Sequence, residues 1–444
     1  MARTLAVLSF DFQGYSTTYR ETLPGPESVP VFASYESYYR LLVRATDPDP
    51  ARRFGSAEEM ADQLTGVLRE VLALQDGRAR PAQSTLFGPE LRVVDTELVA
   101  TTVRPGELRL TAVDPAAAAL ALPVPRVDPA DPNAGFLATL LAADPAEALA
   151  ALDGAPTDSV ERRLRALRAL LELGRPHQSA EALAALEKDH PDDWRVVWYR
   201  GLASLVTAAE AEAEASVSAG AGTGAPAGES ARERALRAAA EAFDAVYDAF
   251  PGEAAPKLAL AVCAELLGDG GDAAEFYRLV WSTDQSYLSA AFGLARVRLA
   301  DDDRAGAVAA LETVPATSSQ YTAARIAAVR ARLRERPTTD PLGADLGASS
   351  EQLTALRLDD RRREELAVEV LGAALGWVTA GSPGGTGTGP ATGEVSVLGR
   401  PAVERELRFA LEQSYRVLAR LADRAETRIE MVERANRARP RTWV

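Results

Sequence analysis

The stretch Ala239-Ala240-Glu241-Ala242-Phe243-Asp244-Ala245-Val246-Tyr247-Asp248-Ala249-Phe250-Pro251 decides the fold. Ala239, Phe243 and Val246 follow one another at steps of four and three, which puts them on one face of an α-helix, and Pro251, five residues further, closes it. The face carries a small residue beside two larger ones. Where two helices cross closely, only Ala or Gly lets the axes approach, and larger side chains fill the space alongside. Fragments of the same pattern return along the chain: Gly174 with Pro191, Gly268 with Ala273, Tyr277 and Val280, and Ala307 with Leu311 and Val314.

The surrounding sequence extends the pattern. Between about Gly135 and Arg439 the chain reads as twelve successive Ala/Leu-rich amphipathic helices, from Ser159–Leu173 to Arg424–Arg437, joined by short Gly, Asp and Pro turns. Steps of four, three and five match the second half of the tetratricopeptide repeat (TPR) consensus. The fold class expected is therefore mainly α, a TPR-like helical solenoid over 135–439. A generic Ala-rich bundle has similar faces; the recurring turn spacing favours the solenoid. Two low-complexity stretches, 208–230 and 381–393, interrupt it. Neither follows a strand or fits Gly-x-Gly-x-x-Gly, so they read as flexible loops extending a repeat rather than phosphate cradles.

Upstream, residues 1–74 concentrate aromatic side chains, and two helices are expected there. One runs from Ser34 to the Asp47-Pro48-Asp49-Pro50 breaker. The other starts at a Ser56 cap with Glu59 three residues on, and has Met60, Leu64, Val67, Leu68, Val71 and Leu72 as its apolar face. Residues 75–134 are rich in Pro and Asp, with β-like pieces at Leu91–Val94 and Leu108–Val113, and read as a long, partly ordered connector.

Composition excludes several function classes. Lys+Arg total 49 against 64 for Asp+Glu in 444 residues, and a net charge of −15 repels a nucleic-acid backbone. The single Cys263 and the two histidines, His177 and His190, supply neither an internal disulfide nor a Cys/His metal cluster, and they suit a reducing cytoplasm. No apolar run reaches the roughly 18 residues of a membrane helix. Lys188 and Lys257 are the only lysines, so chemistry that needs a lysine has two candidates.

Asp49-Pro50-Ala51-Arg52-Arg53, following the apolar helix around Leu41-Leu42, resembles the Asp-Pro-x-x-Arg segment that closes the large lobe of protein kinases. The resemblance makes Asp49 and Arg53 structural residues of that lobe, with Arg53 paired to the Glu of an Ala-Pro-Glu motif. Further stretches are similar to the PknG-like actinobacterial serine/threonine kinases, which place a TPR domain after the kinase domain. These are Phe54-Gly55-Ser56-Ala57-Glu58-Glu59-Met60, Val196-Val197-Trp198-Tyr199-Arg200, the run from Phe250 to Leu260 that includes Lys257, Val280-Trp281-Ser282-Thr283 and Ala290-Ala291-Phe292-Gly293, in order over nearly the whole chain. The departure is equally plain. No glycine-rich loop, Val-Ala-Ile-Lys lysine, His-Arg-Asp loop or Ala-Pro-Glu is present, and Asp11-Phe12-Gln13-Gly14 only superficially suggests Asp-Phe-Gly.

The resemblance thus implies that residues 1–74 are a truncated remnant of a kinase large lobe, not expected to pack as an independent domain. It further implies that the chain is part of a longer kinase or works with a protein that supplies the missing lobes. ATP and Mg belong to the full-length family; no catalytic, ATP-binding or metal residue is assigned in this chain. The function expected is that of a regulatory region which self-associates, as a possible homodimer, and docks protein partners or substrates in a TPR groove. An active kinase and a stand-alone TPR adaptor are the competing readings. Tyr199, Arg200, Lys257 and Trp281 are the candidate interaction surface. Glu253 and Lys257, acid first and four residues apart, read either as a surface pair at a helix start or with Lys257 projecting into the groove to anchor an acidic segment.

Overall fold

The computed structural model describes residues 1–98, 110–220, 229–337, 340–381 and 395–440. The chain divides into two units, one of Met1–Val94 with Val113–Gly293 and one of Asp95–Ala112 with Leu294–Val444.

The first unit opens with α1 (Ala2–Ser9), α2 (Pro30–Ser34), α3 (Glu36–Thr46) and α4 (Ala57–Asp76). Phe12, Val29, Phe32, Leu41, Leu42 and Val67 form their shared core, with the Phe10 and Tyr39 rings each 5.0 Å from Phe32. Then come α5 (Pro115–Ala121), α6 (Ala134–Thr139), α7 (Pro145–Ala151), α8 (Val160–Glu172), α9 (Pro176–Asp189), α10 (Trp194–Gly220), α11 (Ala231–Ala249), α12 (Ala254–Leu267), α13 (Gly270–Thr283) and the start of α14 (Leu288–Ala300). Ala239, Phe243 and Val246 on α11 are all fully buried, and Pro251 lies in the turn to α12. The boundary drawn at residue 74 falls inside this unit, because α3 and α4 pack on the repeat helices.

Three expectations need correction. Two Asp-Pro pairs, one inside the Pro-rich stretch and one beyond it, start helices: Asp114 and Asp144 accept the N–H of Ala116 and Ala146 at 3.0 and 2.9 Å, with proline in the first turn, where its missing N–H costs nothing. The described part of 75–134 is packed. Phe87 is fully buried with its ring 5.2 Å from Trp194 and 4.8 Å from Trp198, and α5 lies along α10. Leu91–Val94 form no strand; of the second piece Leu110 makes a lone β-bridge and 111–113 are irregular, while 108 and 109 lie outside the described residues. In the same strap Glu90 accepts the N–H of Leu288 at 2.6 Å and that of Ser289 at 3.2 Å at the start of α14, and burial pushes its carboxyl up to about 7. Finally, residues 208–220 continue α10 instead of forming a loop, while 221–228 and 382–393 lie outside the described residues.

The second unit contains the rest of α14, then α15 (Arg304–Glu312), α16 (Tyr321–Leu333), α17 (Gly343–Ala355), α18 (Asp360–Thr379), a hairpin of β1 (Ser396–Val397) and β2 (Arg400–Pro401), α19 (Glu404–Leu421) and α20 (Ala425–Ala438). Val397 pairs with Arg400 across Leu398 and Gly399, both at positive φ, as a tight two-residue turn requires. Val329, Leu346, Leu366, Val370, Trp377 and Leu407 form the core. α17 is absent from the sequence reading because two positions on its buried face are Ser349 and Ser350 rather than aliphatic residues.

Candidate functional site

The sequence-predicted apolar stripe of α4 is not the face that α4 buries most deeply. Ser56 caps the helix by accepting the N–H of Glu59 at 3.0 Å, as expected, but Leu68 is exposed. The buried face runs Gln63, Gly66, Val67, Glu70 and Ala73. Two of these are polar and one is glycine, and each has its counterpart on the repeat helices. Gln63 Oε1 accepts the N–H of Gly252 at 2.8 Å. A Cβ on Gly66 would overlap the Gly252 carbonyl, so the two backbones touch only because both residues are glycine.

Glu70 faces Lys257. The Lys257 ammonium donates to Glu70 Oε2 and, at 2.8 Å, to the Pro251 carbonyl, and the Ser37 hydroxyl donates to the same Glu70 oxygen at 3.0 Å. Ser37 Oγ also meets the Tyr247 hydroxyl at 2.7 Å. Burial, reinforced by the negative charge of Glu70, pushes the Tyr247 phenol well above its ordinary range, so it stays protonated. At the edge, Arg40 stacks over the Tyr247 ring at 4.2 Å while pairing with Glu36, Asp244 and Asp248. Arg44 donates to the Ala249 carbonyl and pairs with Glu59 at 2.8 Å. The result is a polar seam along which α3 and α4 are held to α11 and α12. Lys257 is 3% exposed, so the seam is closed to any ligand and acts as a fastening.

This corrects both readings of Lys257. It neither pairs with Glu253 on the surface nor projects into a groove, because a charge on α12, whose residues from Ala255 to Cys263 are all buried, finds its partner inside. Tyr199 and Trp281 are buried too, and burial takes the Tyr199 hydroxyl up to about 12. Of the four candidate surface residues only Arg200 reaches solvent, paired with Glu187, so they do not form one surface. Asp49 accepts the N–H of Ala51 at 2.9 Å, and the exposed Arg53 donates to the carbonyls of Asp47 at 2.6 Å and Pro48 at 3.1 Å. The Asp-Pro-x-x-Arg segment closes on its own backbone. Sequence reasoning missed Ser37, Gln63, Gly66, Glu70 and Tyr247; the readable signal was the charge of Glu70 between the apolar Val67 and Val71.

Helical hairpins with the Ala239/Phe243/Val246 packing define a TPR-type helical repeat protein. The chain belongs to the protein kinase G tetratricopeptide repeat family, which matches over residues 81–242 and 229–442. It is 35% identical over 457 residues to the serine/threonine-protein kinase PknG of Mycobacterium leprae, covering 99% of this chain and 54% of that protein. Against the PknG of Mycolicibacterium smegmatis it is 34% identical over 454 residues, with 99% and 55% covered. The chain thus spans about half the length of the curated relatives it matches. Among the described residues no helix is long and apolar enough to cross a membrane, and no three His, Cys, Asp or Glu residues are grouped to hold a metal ion.

Proposed function

We propose that this chain is the regulatory and interaction region of a PknG-like serine/threonine protein kinase, and that its repeats are mechanically part of the kinase rather than a tethered accessory. The observation that carries this reading is the Glu70–Lys257 seam, which fastens the segment resembling the end of a kinase large lobe to the repeat helices. A load applied to the repeats is therefore felt at the lobe. Val7 and Leu8, apolar and exposed on α1, support a further body covering that segment. Self-association and partner docking through the repeats belong to the same reading, and the exposed Ile429 and Val432 on α20 support them.

This reading assigns neither ATP nor Mg to this chain; of the two lysines, Lys257 is committed to Glu70 and Lys188 is exposed on α9. The test is to titrate this chain against the separately produced amino-terminal half of the M. smegmatis relative and to assay each alone with ATP and Mg. Saturable association, altered phosphotransfer by the kinase half and no transfer by this chain alone are expected. No association would favour a stand-alone adaptor, and transfer by this chain alone would overturn the reading.

A further inference from the structure

We infer that the strap between α4 and α5 is a ligand of the repeat helices supplied by the chain itself, and that a partner docks there by taking its place. The partner segment this seat fits is extended, with an aromatic residue and a carboxylate three residues further on. Apart from one bridge between Phe87 and Pro125, the backbone from Arg78 to Val94 is irregular. Only Phe87 and Val94 in that stretch have buried side chains, and Leu91 is 81% exposed. The strap therefore lies on the first unit at a few discrete points, with one aromatic anchor, as a docked peptide does.

Those points fall on the side that a repeat stack offers to ligands. α8, α10 and α12 each open a helical hairpin that α9, α11 and α13 complete, and α14 follows in the same alternation. First helices line the concave side of such a stack. Phe87 seats its ring against Trp194 and Trp198 on α10. Glu90 accepts the N–H groups that open α14, and the Val94 N–H donates to Ser289 Oγ at 2.8 Å. Further along the chain α5 lies on α10 as well, tied to α8 where Arg168 donates to the Leu120 carbonyl at 2.7 Å.

Two features make the strap replaceable. A segment held by one ring and a handful of hydrogen bonds opens at much lower cost than a packed helical hairpin. Its seat is also not fully used: the indole N–H of the fully buried Trp198 finds no acceptor among the described residues, and the Phe87 side chain has none to give. The strap itself shows what a replacement needs. An aromatic ring must fill the place beside the two tryptophans, and a carboxylate three residues on must meet the first N–H groups of α14.

The inference rests on the docking role proposed above and names its site. The probe is a labelled peptide with the sequence of residues 82–94, beside a twin carrying Phe87→Ala. Fluorescence anisotropy is measured against the full chain and against its Phe87→Ala and Glu90→Ala variants. Phe87→Ala empties the seat and lowers stability, whereas Glu90→Ala only unties the strap from α14, so the second variant carries the test if the first fails to fold. Each variant should bind the peptide at least tenfold tighter than the unaltered chain, whose own strap competes, and the twin should bind at least tenfold more weakly than the peptide. Equal affinity for all three chains, no saturable binding to either variant, or equal binding of the two peptides overturns the inference. Association with the kinase half alongside any of these results would overturn this inference alone. Tighter peptide binding by the variants without that association would leave it standing and overturn the attachment to a kinase.

Discussion

Each unit sets a carboxylate against cations, and the two settings differ in how many cations share it and how far water reaches. In the first unit Glu70 meets one lysine, and Ser37 and the Pro251 carbonyl complete the bonding of both charges away from water. In the second, Glu369 is divided between Arg330 and Arg334, and water reaches this group further than it reaches Glu70 and Lys257. A balanced buried pair fixes a geometry, because neither member can leave without stranding the other. A carboxylate shared by two cations keeps one of them when the other is removed. The closed pair and the shared carboxylate thus differ in what removing one cation leaves behind.

The hardest blow to that contrast is at Lys257. Lys257→Met leaves Glu70 buried without its cation and is expected to lower stability by about 3–5 kcal/mol in urea unfolding. Lys257→Met with Glu70→Leu should recover most of the loss, because nothing charged is then stranded. Arg330→Met leaves Arg334 on Glu369 and is expected to lower stability by about 1 kcal/mol or less. Comparable losses for Lys257→Met and Arg330→Met would erase the difference between the units.

The glycines sharpen it with opposite signs. Gly66→Ala drives a methyl into the Gly252 backbone, which cannot swing aside, and is expected to lower stability by about 1–3 kcal/mol. Gly372→Ala meets open space within a helix and is expected to raise it by about 0.5–1 kcal/mol. Thermal unfolding of the two variants checks both; a loss at Gly372 would show that its face is already covered.

What could be read from the sequence follows the same line. The repeat helices were legible because each buries a small residue beside large ones at helical spacing, as Ala239, Phe243 and Val246 do. Family membership was legible from short ordered motifs. The seam was not, because hydrophobic periodicity selects the stripe through Leu64 and Leu68, and α4 instead buries Gln63, Gly66 and Glu70. Lys257 carried a usable signal that was outweighed. α12 is apolar all round, so a cation on it must be buried, yet Glu253 four residues earlier suggested a surface pair. The glycines of α18 escaped for a related reason: two glycines in a helix look like weak helix propensity until the structure shows that nothing among the described residues fills the space they leave.

Another carboxylate, Glu90, is held by N–H groups rather than cations. Its carboxyl is raised from the ordinary range to about 7 by burial. Between about pH 4.5 and 7 the folded state therefore holds a proton that the unfolded chain has released. Stability from this group is full at the acid end and falls as pH rises through 7. From pH 5.5 to 8 a loss of about 2 kcal/mol, or about 4–8 °C in melting temperature, is expected. Glu90→Gln keeps an oxygen for the Leu288 N–H but cannot titrate, and should remove that slope. An unchanged slope would assign it to other groups.

The smallest effect is expected at Arg53, the residue to which the kinase resemblance gives the clearest role. Its guanidinium is exposed and bonded to the carbonyls of Asp47 and Pro48, so it closes a loop of seven residues and touches neither the Glu70 seam nor the aromatic core. Water replaces both bonds when the side chain is removed. Arg53→Ala should therefore lower stability of the chain by about 0.5–1 kcal/mol, near the limit of a melting experiment. The kinase half offers a sharper measurement. If Arg53 pairs with an Ala-Pro-Glu glutamate there, Arg53→Ala should weaken association with that half by at least tenfold while hardly moving the melting temperature of the chain alone. A loss above about 2 kcal/mol in the isolated chain, with association unchanged, would make Arg53 a fastening residue of the first unit and remove it from any contact with a kinase lobe.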